Sequence, residues 1–281
     1  MNHRIAIIGI GSAGSRHLVL AREKFPQATI MVLRKNKEVA VPDFADGTFA
    51  SFTEVTDFEP TIAVVASPAP LHAEALTELL PLGTNVLVEK PLAASEKDAR
   101  SLLKLDKASG GICLVGYNLR FTESIGLFRE KLSAGSIGVP LAFRSEVGQW
   151  LPDWRSHCDY RATVSAQSSL GGGVLLELSH EFDYLGWLFG EPEWVMAHTS
   201  RQSALEIDVE DSSQILFGGE LHSDSRQLTG SLAMDLFRRD KTRYCNVIGE
   251  EGTLCWDGVR GTVKIFDRAT GEWRKLMHRP D

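Results

Sequence analysis

The sequence predicts two joined folds: an α/β domain on a doubly wound parallel sheet, then an α+β domain on an open, mostly antiparallel sheet. Three observations predict it. Through residue 118, short apolar runs without polar alternation are separated by segments of helical period, as in strands buried on both faces. After Phe121 the runs alternate apolar and polar residues, as in antiparallel strands with one wet face. The first run also ends in a glycine-rich turn that opens a helix. The expected domains are 1–118 and 119–281.

Taken in order, Arg4–Ile8 is a β-branched run, and Gly14, Leu18, Ala21 and Phe25 recur on one face of the following helix. Thr29–Leu33 and Thr61–Ala66 are further buried strands, and a helix runs from Leu71 to Leu82. Asn85–Val88 is a strand that Pro91 stops. Ser95 with Asp98 makes a capping-box-like start for a helix carrying Ala99, Leu102, Leu103 and Ala108. Gly110 ends that helix, and Ile112–Gly116 is the next strand. In the second half, Thr122 caps a helix with Ile125, Phe128 and Leu132 on one face. Leu141, Phe143 and Val147 then alternate with Arg144 and Glu146 in a strand. Gln214–Phe217, Gln227–Leu236, Tyr244–Ile248, Thr253–Trp256 and Thr262–Phe266 are the remaining strands, with Gly249–Gly252 as a hairpin turn. Leu151–Leu170 has little periodicity and reads as an irregular binding loop.

With 281 residues, 43% of them hydrophobic and 24% charged, the chain has the composition of an ordinary folded protein, which excludes disorder and collagen-like structure. No run approaches the roughly 18–20 apolar residues of a membrane helix. A net charge of −7 argues against nucleic-acid backbone binding as the main task. Cys113, Cys158, Cys245 and Cys255 contain no CxxC pair and no zinc-ligand spacing. Reduced thiols, no metal and a cytoplasmic location are therefore expected. Ile5–Ile10 is too short, and too quickly followed by glycine, to be a signal peptide.

Gly9-Ile10-Gly11-Ser12-Ala13-Gly14 is G-x-G-x-x-G between a strand and a helix. Gly9 permits the turn, Gly11 lets the backbone approach a pyrophosphate, and Gly14 lets helix and strand pack closely. The helix start offers free N–H groups and a positive dipole end to phosphates. The end of the second strand selects the cofactor. Where an NAD enzyme carries a carboxylate for the ribose 2′-OH, this chain reads Leu33-Arg34-Lys35-Asn36-Lys37. Those cations suit a 2′-phosphate, so NADP(H) is expected over NAD(H), with Arg34 and Lys35 as contacts.

Lys90 stands at the carboxyl end of a buried strand, where doubly wound sheets bind ligands, and Glu89 is its neighbour. Pro91 makes a cis Lys90–Pro91 bond possible. Further on, Gly171-Gly172-Gly173 leads into a helix on which Glu177, His180 and Tyr184 form a polar stripe, with Asp183 one turn from His180. Histidine titrates near neutrality, so His180 is suited to pass a proton to or from a hydroxyl. The triple glycine invites the close approach of a ligand.

The pieces GIGSAGSRH (9–17), SPAPLH (67–72), EKP (89–91), GYNLRF (116–121) and GGGVLLELSHEFDYLGWLFG (171–190) together resemble the Gfo/Idh/MocA family of NAD(P)-dependent oxidoreductases. The resemblance implies an N-terminal Rossmann domain and a C-terminal α+β domain. It implies hydride transfer between a nicotinamide and a hydroxyl or keto carbon of a sugar, nucleotide sugar or polyol. It gives Lys90 and His180 the catalytic work, with Lys90 bonding the reacting oxygen and His180 as acid and base. Many members place an aspartate four residues before the histidine; here Leu176 stands there and Glu177 follows, so Glu177 and Asp183 are the candidate partners. Ser67, Pro68, His72, Glu89 and Lys90 are expected at the cofactor. Asn118, Arg120, Trp150, Tyr160 and Arg161 are expected at the substrate. A homodimer or homotetramer through the C-terminal sheet is expected. The alternative is a catalytically silent cofactor- or sugar-sensing protein on the same fold.

Overall fold

Period two is what splits the first strand between two cores. In β1 (Arg4–Ile8), Ile5 and Ile7 join one apolar cluster while Ala6 and Ile8 join another, so both faces of the strand are covered. The structure is a computed structural model, which describes residues 3–34, 40–156, 158–220 and 227–279. Lys35 and Lys37, in the expected cofactor loop, and His157 lie outside the described residues. The chain divides into two units, one of residues 1–116 with 169–171, the other of 117–168 with 172–281. The division thus falls two residues ahead of the expected one, and a three-residue segment of the second half packs with the first unit.

The first unit runs β1, α1 (Ser12–Lys24), β2 (Thr29–Leu33), β3 (Gly47–Phe49), α2 (Phe52–Asp57), β4 (Ile62–Val65), α3 (His72–Leu79), β5 (Asn85–Val88), α4 (Glu96–Ala108) and β6 (Cys113–Val115). Its six strands are all parallel, in the order β3-β2-β1-β4-β5-β6. Leu18 of α1 packs on Ile5, Ile7, Ile30 and Val32. Leu76 and Leu79 of α3 and Leu102 of α4 pack on Ala6, Ala63, Val65, Val86 and Val88 from the other side. This is the doubly wound arrangement, with its switch point between β1 and β4. Ser95 caps α4 as expected, its Oγ accepting the Asp98 N–H at 3.1 Å. Leu103, grouped with the core residues by spacing, is instead 53% exposed. The helix expected over 71–82 is α3 flanked by 3-10 turns at Ala69–Leu71 and Leu80–Leu82. The sequence reading missed β3 and α2, although Ser51 and Glu54 mark the start of α2 by a cap bond of 3.3 Å.

The second unit runs α5 (Glu123–Ser133), β7 (Pro140–Gly148), α6 (Val174–Glu177), α7 (His180–Phe189), β8 (Trp194–Ser200), β9 (Ser212–Glu220), β10 (Gln227–Asp235), β11 (Thr242–Gly249), β12 (Gly252–Asp257), β13 (Thr262–Asp267) and β14 (Glu272–His278). The eight strands lie in the order β14-β13-β12-β11-β7-β10-β9-β8, antiparallel except for β10 with β7. Ile125 and Phe128 of α5 and Tyr184 and Leu185 of α7 bury one face against Phe143, Val247, Leu254, Trp256 and Val263. The opposite face is exposed, with Trp194, Met196 and Leu216 at its β8–β9 end. The edge strands β8 and β14 were not foreseen. Thr122 occupies the cap position of α5, but its hydroxyl donates to the Leu119 carbonyl instead of capping. Leu151–Leu170 is a chain of 3-10 turns rather than an irregular loop.

Trp256 is the largest fully buried side chain of this core. Its Nε1–H donates to Ser124 Oγ at 2.8 Å, and its ring meets Tyr184 edge-on with centroids 5.2 Å apart. Trp256→Ala is expected to cost about 3–5 kcal/mol in urea unfolding, and Trp273→Ala, on a half-exposed edge-strand residue, less than about 1 kcal/mol.

Candidate active site

At the carboxyl edge of the parallel sheet, the turn after β1 is fixed by steric contact. Gly9 has φ +93°, and a Cβ there would lie 2.8 Å from the Ser67 nitrogen. A Cβ on Gly14 would lie 2.0 Å from the Gly9 carbonyl oxygen. α1 therefore begins pressed against the ends of β1 and β4, which a side chain at either position would prevent. Around Gly11 a Cβ would meet nothing within 4 Å, and no side chain caps the helix there. The first turn of α1 carries no acidic residue. The N–H groups of Ser12, Ala13 and Gly14 thus stand at a positive dipole end without an internal acceptor from a cap.

The neighbouring turns are braced to one another. His72 is 1% exposed, with Nε2 2.7 Å from the Ser67 carbonyl and Nδ1 3.0 Å from the Pro91 carbonyl. Burial pulls its pKa below the ordinary histidine value, against the opposing pull of those carbonyls. The expected pocket residue is thus wedged between the Ser67 turn and the cis Lys90–Pro91 turn, and in its neutral form its single N–H donates to one of the two carbonyls. Ser67 Oγ is buried without a hydrogen-bond partner among the described residues. Glu89 accepts from His17 at 2.7 Å, with Arg16 at 3.7 Å, and from the Lys90 N–H at 3.3 Å. The His17 hydrogen bond holds its carboxyl below the usual carboxylate range. Glu89 thereby ties α1 to the Lys90 turn, a link the sequence reading missed although both residues stood in quoted motifs. Arg34, at the end of β2, donates from Nη1 to the Ala40 carbonyl at 2.9 Å, and its buried Nε has no partner among the described residues.

In the second unit, the expected continuous helix breaks at Leu178–Ser179, and His180 becomes the first residue of α7. Three neighbours fix that helix. Glu181, fully buried, accepts from Arg243 Nε at 3.0 Å. Burial raises its pKa while Arg243 opposes the rise. Tyr184, also fully buried, has its hydroxyl 2.6 Å from Ser145 Oγ, which makes it a core residue rather than part of a functional stripe. Asp183 takes a two-pronged hydrogen bond from Arg120, Nε to Oδ2 at 2.8 Å and Nη2 to Oδ1 at 2.7 Å. Tyr117, missed by the sequence reading, sets its ring edge against His180 with centroids 5.6 Å apart.

The other candidates are engaged elsewhere. Glu177 accepts from Ser165 Oγ at 2.8 Å. Arg161 is clasped by Asp159 and by Glu206 at 2.7 Å, and the Tyr160 hydroxyl accepts the Glu206 N–H at 3.2 Å. Arg239 lies 3.6 Å over the Trp150 ring. Asn118 begins the 3-10 turn that carries Arg120. The close approaches at Gly172 and Gly173 are to the chain itself, where a Cβ would strike the Val164 carbonyl at 2.3 Å and the Glu210 carboxylate at 2.4 Å.

Comparison with known proteins adds the following. A model described as "Oxidoreductase family, NAD-binding Rossmann fold" (Gfo/Idh/MocA) matches residues 3–117, and one described as "GFO/IDH/MocA C-terminal domain" matches residues 127–255. Levoglucosan dehydrogenase of Pseudarthrobacter phenanthrenivorans is 28% identical over 207 residues, 68% of this chain and 52% of that protein. The scyllo-inositol 2-dehydrogenase (NADP(+)) IolW of Bacillus subtilis is 24% identical over 233 residues, 78% of this chain and 63% of that protein. The matched part is therefore less than two thirds of either relative. A solved levoglucosan dehydrogenase in complex with NADH shares the fold, with a TM-score of 0.84 and 21% identity, over 99% of this chain and 80% of that one.

Two outcomes follow from the braces. Arg243→Met leaves the Glu181 carboxylate buried without its counter-charge and is expected to cost about 3–5 kcal/mol, most of which the double variant Glu181→Leu/Arg243→Met recovers in a denaturation cycle. Because the folded pKa of His72 lies below its unfolded value of 6.5, its contribution to stability is present above that value and is lost as pH falls through the folded pKa. The urea midpoint of the wild type is expected to fall more than that of His72→Gln as pH is lowered below about 6.5.

Proposed function

The chain belongs to the Gfo/Idh/MocA oxidoreductase family, and from that premise we propose that it is an NAD(P)-dependent dehydrogenase acting on a CH–OH carbon of a sugar, nucleotide sugar or polyol, or on the matching keto group in reverse. The observation that carries the reading is the open start of α1 at the switch point, framed by Gly9 and Gly14 with the Ser67 backbone against Gly9. In this reading the N–H groups of Gly11, Ser12, Ala13 and Gly14 hold the pyrophosphate, and Ser67 and Pro68 border the nicotinamide. The nicotinamide, when bound, supplies the redox chemistry. His180 takes the hydroxyl proton on oxidation and returns it on reduction. Lys90 lends positive charge to the oxygen as the proton leaves. Asp183, through Arg120, and Glu177, through Ser165, position the segment around His180. Asn118 is the polar substrate contact of this reading, since Arg120, Tyr160 and Arg161 are already bonded within the chain.

NADP(H) is the preferred cofactor of the proposal. Arg34 stands where an NAD enzyme carries a carboxylate, and its Nε has hydrogen-bonding capacity to spare among the described residues. IolW is named for NADP(+), whereas the levoglucosan dehydrogenase complex holds NADH, so the choice rests on Arg34. Self-association is assigned to the apolar end of the open sheet face, at Trp194, Met196 and Leu216. No observation favours the sensing alternative.

An absorbance assay over a panel of sugars, keto sugars, nucleotide sugars and polyols identifies the substrate. On it, His180→Ala and Lys90→Ala are each expected to lower turnover by about 10²–10⁴-fold while the cofactor Kd stays within about threefold. Wild-type rates in both variants would defeat the mechanism. Titration is expected to give NADPH the smaller Kd by about tenfold, or about 1.4 kcal/mol; a tenfold advantage for NADH reverses the cofactor assignment.

A further inference from the structure

The exposed face of the eight-stranded sheet is not uniform. Its β8–β9 end is apolar, and its β11–β14 end is cationic. Across those last four strands two rows of side chains stand on the face opposite the core. Tyr244, Asp257, Thr262 and His278 are successive register partners and form one row. Cys255, Lys264 and Lys275 form the next. The two rows and Arg260 enclose a hollow of ≈ 180 Å³. A bulge makes this possible. The pairing of β13 with β14 slips between Val263 and Lys264, so Lys275 and His278, three residues apart, face the same way. In a regular strand they would point to opposite faces.

The charges within the hollow are not balanced. Lys264 and Lys275 are directly opposite one another, a like-charge arrangement that opposes strand pairing. Among the described residues no carboxylate lies within ion-pair distance of either lysine. Asp257, the acid of the hollow, is committed to its own turn, accepting the Val259 and Arg260 N–H groups at 3.0 Å each, and it faces Arg260 Nε at 4.0 Å. Burial and Asp257, to which its hydroxyl hydrogen-bonds, raise the Tyr244 pKa. Thr262 Oγ1, 2.8 Å from His278 Nδ1, fixes that ring at the rim. In a chain of net charge −7, such a concentration of positive charge is local.

We propose that this hollow binds a small, multiply charged anion, namely the phosphate group of a soluble metabolite, bridged by Lys264 and Lys275. An anion between the two ammonium groups converts their repulsion into two charge-assisted contacts. A hollow of ≈ 180 Å³ has room for a phosphate group. The site is separate from the dinucleotide turn and does not depend on the dehydrogenase reading.

The test is calorimetric titration of the intact chain with inorganic phosphate, against sodium chloride at matched ionic strength. The dinucleotide turn is itself an anion acceptor, so the readout is the difference between wild type and Lys264→Gln/Lys275→Gln. The wild type is expected to bind one more phosphate than the double variant, or to bind it at least about tenfold more tightly, with NADPH binding the same in both. Lys264→Glu, which turns the repulsive pair into an attractive one, serves as a second variant. It is expected to melt at or above the wild-type temperature in chloride and to lose the extra stabilisation that phosphate gives the wild type. Identical phosphate isotherms in wild type and variants would overturn the proposal, as would the absence of saturable binding. So would an assembly that the lysine substitutions dissociate without any phosphate effect, because the hollow would then be a contact between copies.

Discussion

The constraint on which the first unit depends is the contact between residues 9 and 14. With the Gly9 carbonyl where a side chain of residue 14 would stand, α1 starts flush against the ends of β1 and β4 and has no side chain as its cap. A helix start in this condition is a liability in a folded protein unless its N–H groups meet an anion or water. The surrounding turns are built to hold it in place. His72 ties the Ser67 turn to Pro91, and Glu89 ties the Lys90 turn back to His17 on α1 itself. The Lys90 turn is thus tied to α1 through His17, and Pro91 beside it to the Ser67 turn through His72.

The second unit solves a different problem: holding the His180 imidazole at the first position of a short helix. The residues that follow His180 are spent on anchoring. Glu181 reaches β11 through Arg243, Asp183 reaches the preceding turn through Arg120, and Tyr184 reaches β7 through Ser145. A buried carboxylate paired to one guanidinium gains little net stability over an apolar pair, but it fixes one orientation of the helix, because any rotation strands the charge. Polar residues clustered around a candidate catalytic histidine are therefore divided between chemistry and anchoring, and only the structure separates the two.

Much of the fold was legible because burial on both faces writes itself into composition. The continuous apolar runs of β1, β2, β4 and β5 and the Ser95 cap of α4 stand where the sequence puts them. The edge strands were not legible for the converse reason. β8 is exposed along almost its whole length and β14 along most of its length, so neither has a buried face to imprint an alternation. Likewise, the motifs identified Gly9, Gly14, Lys90 and His180 as points of interest, but not the partners of their neighbours. Asp183 is paired with Arg120, 63 residues away, and Glu181 with Arg243, 62 residues away. Pairings at such separations leave no local spacing to read. The break at Ser179 was hidden too, since a helix interrupted by one turn keeps nearly the same apolar period.

The central claim is that a dinucleotide phosphate rests on the open start of α1. Amide hydrogen exchange of the intact chain, with and without saturating NADPH, examines it residue by residue. The account predicts that exchange slows at Ser12, Ala13 and Gly14 when the nucleotide binds. Nucleotide binding that leaves those amides exchanging at their free rates would contradict it.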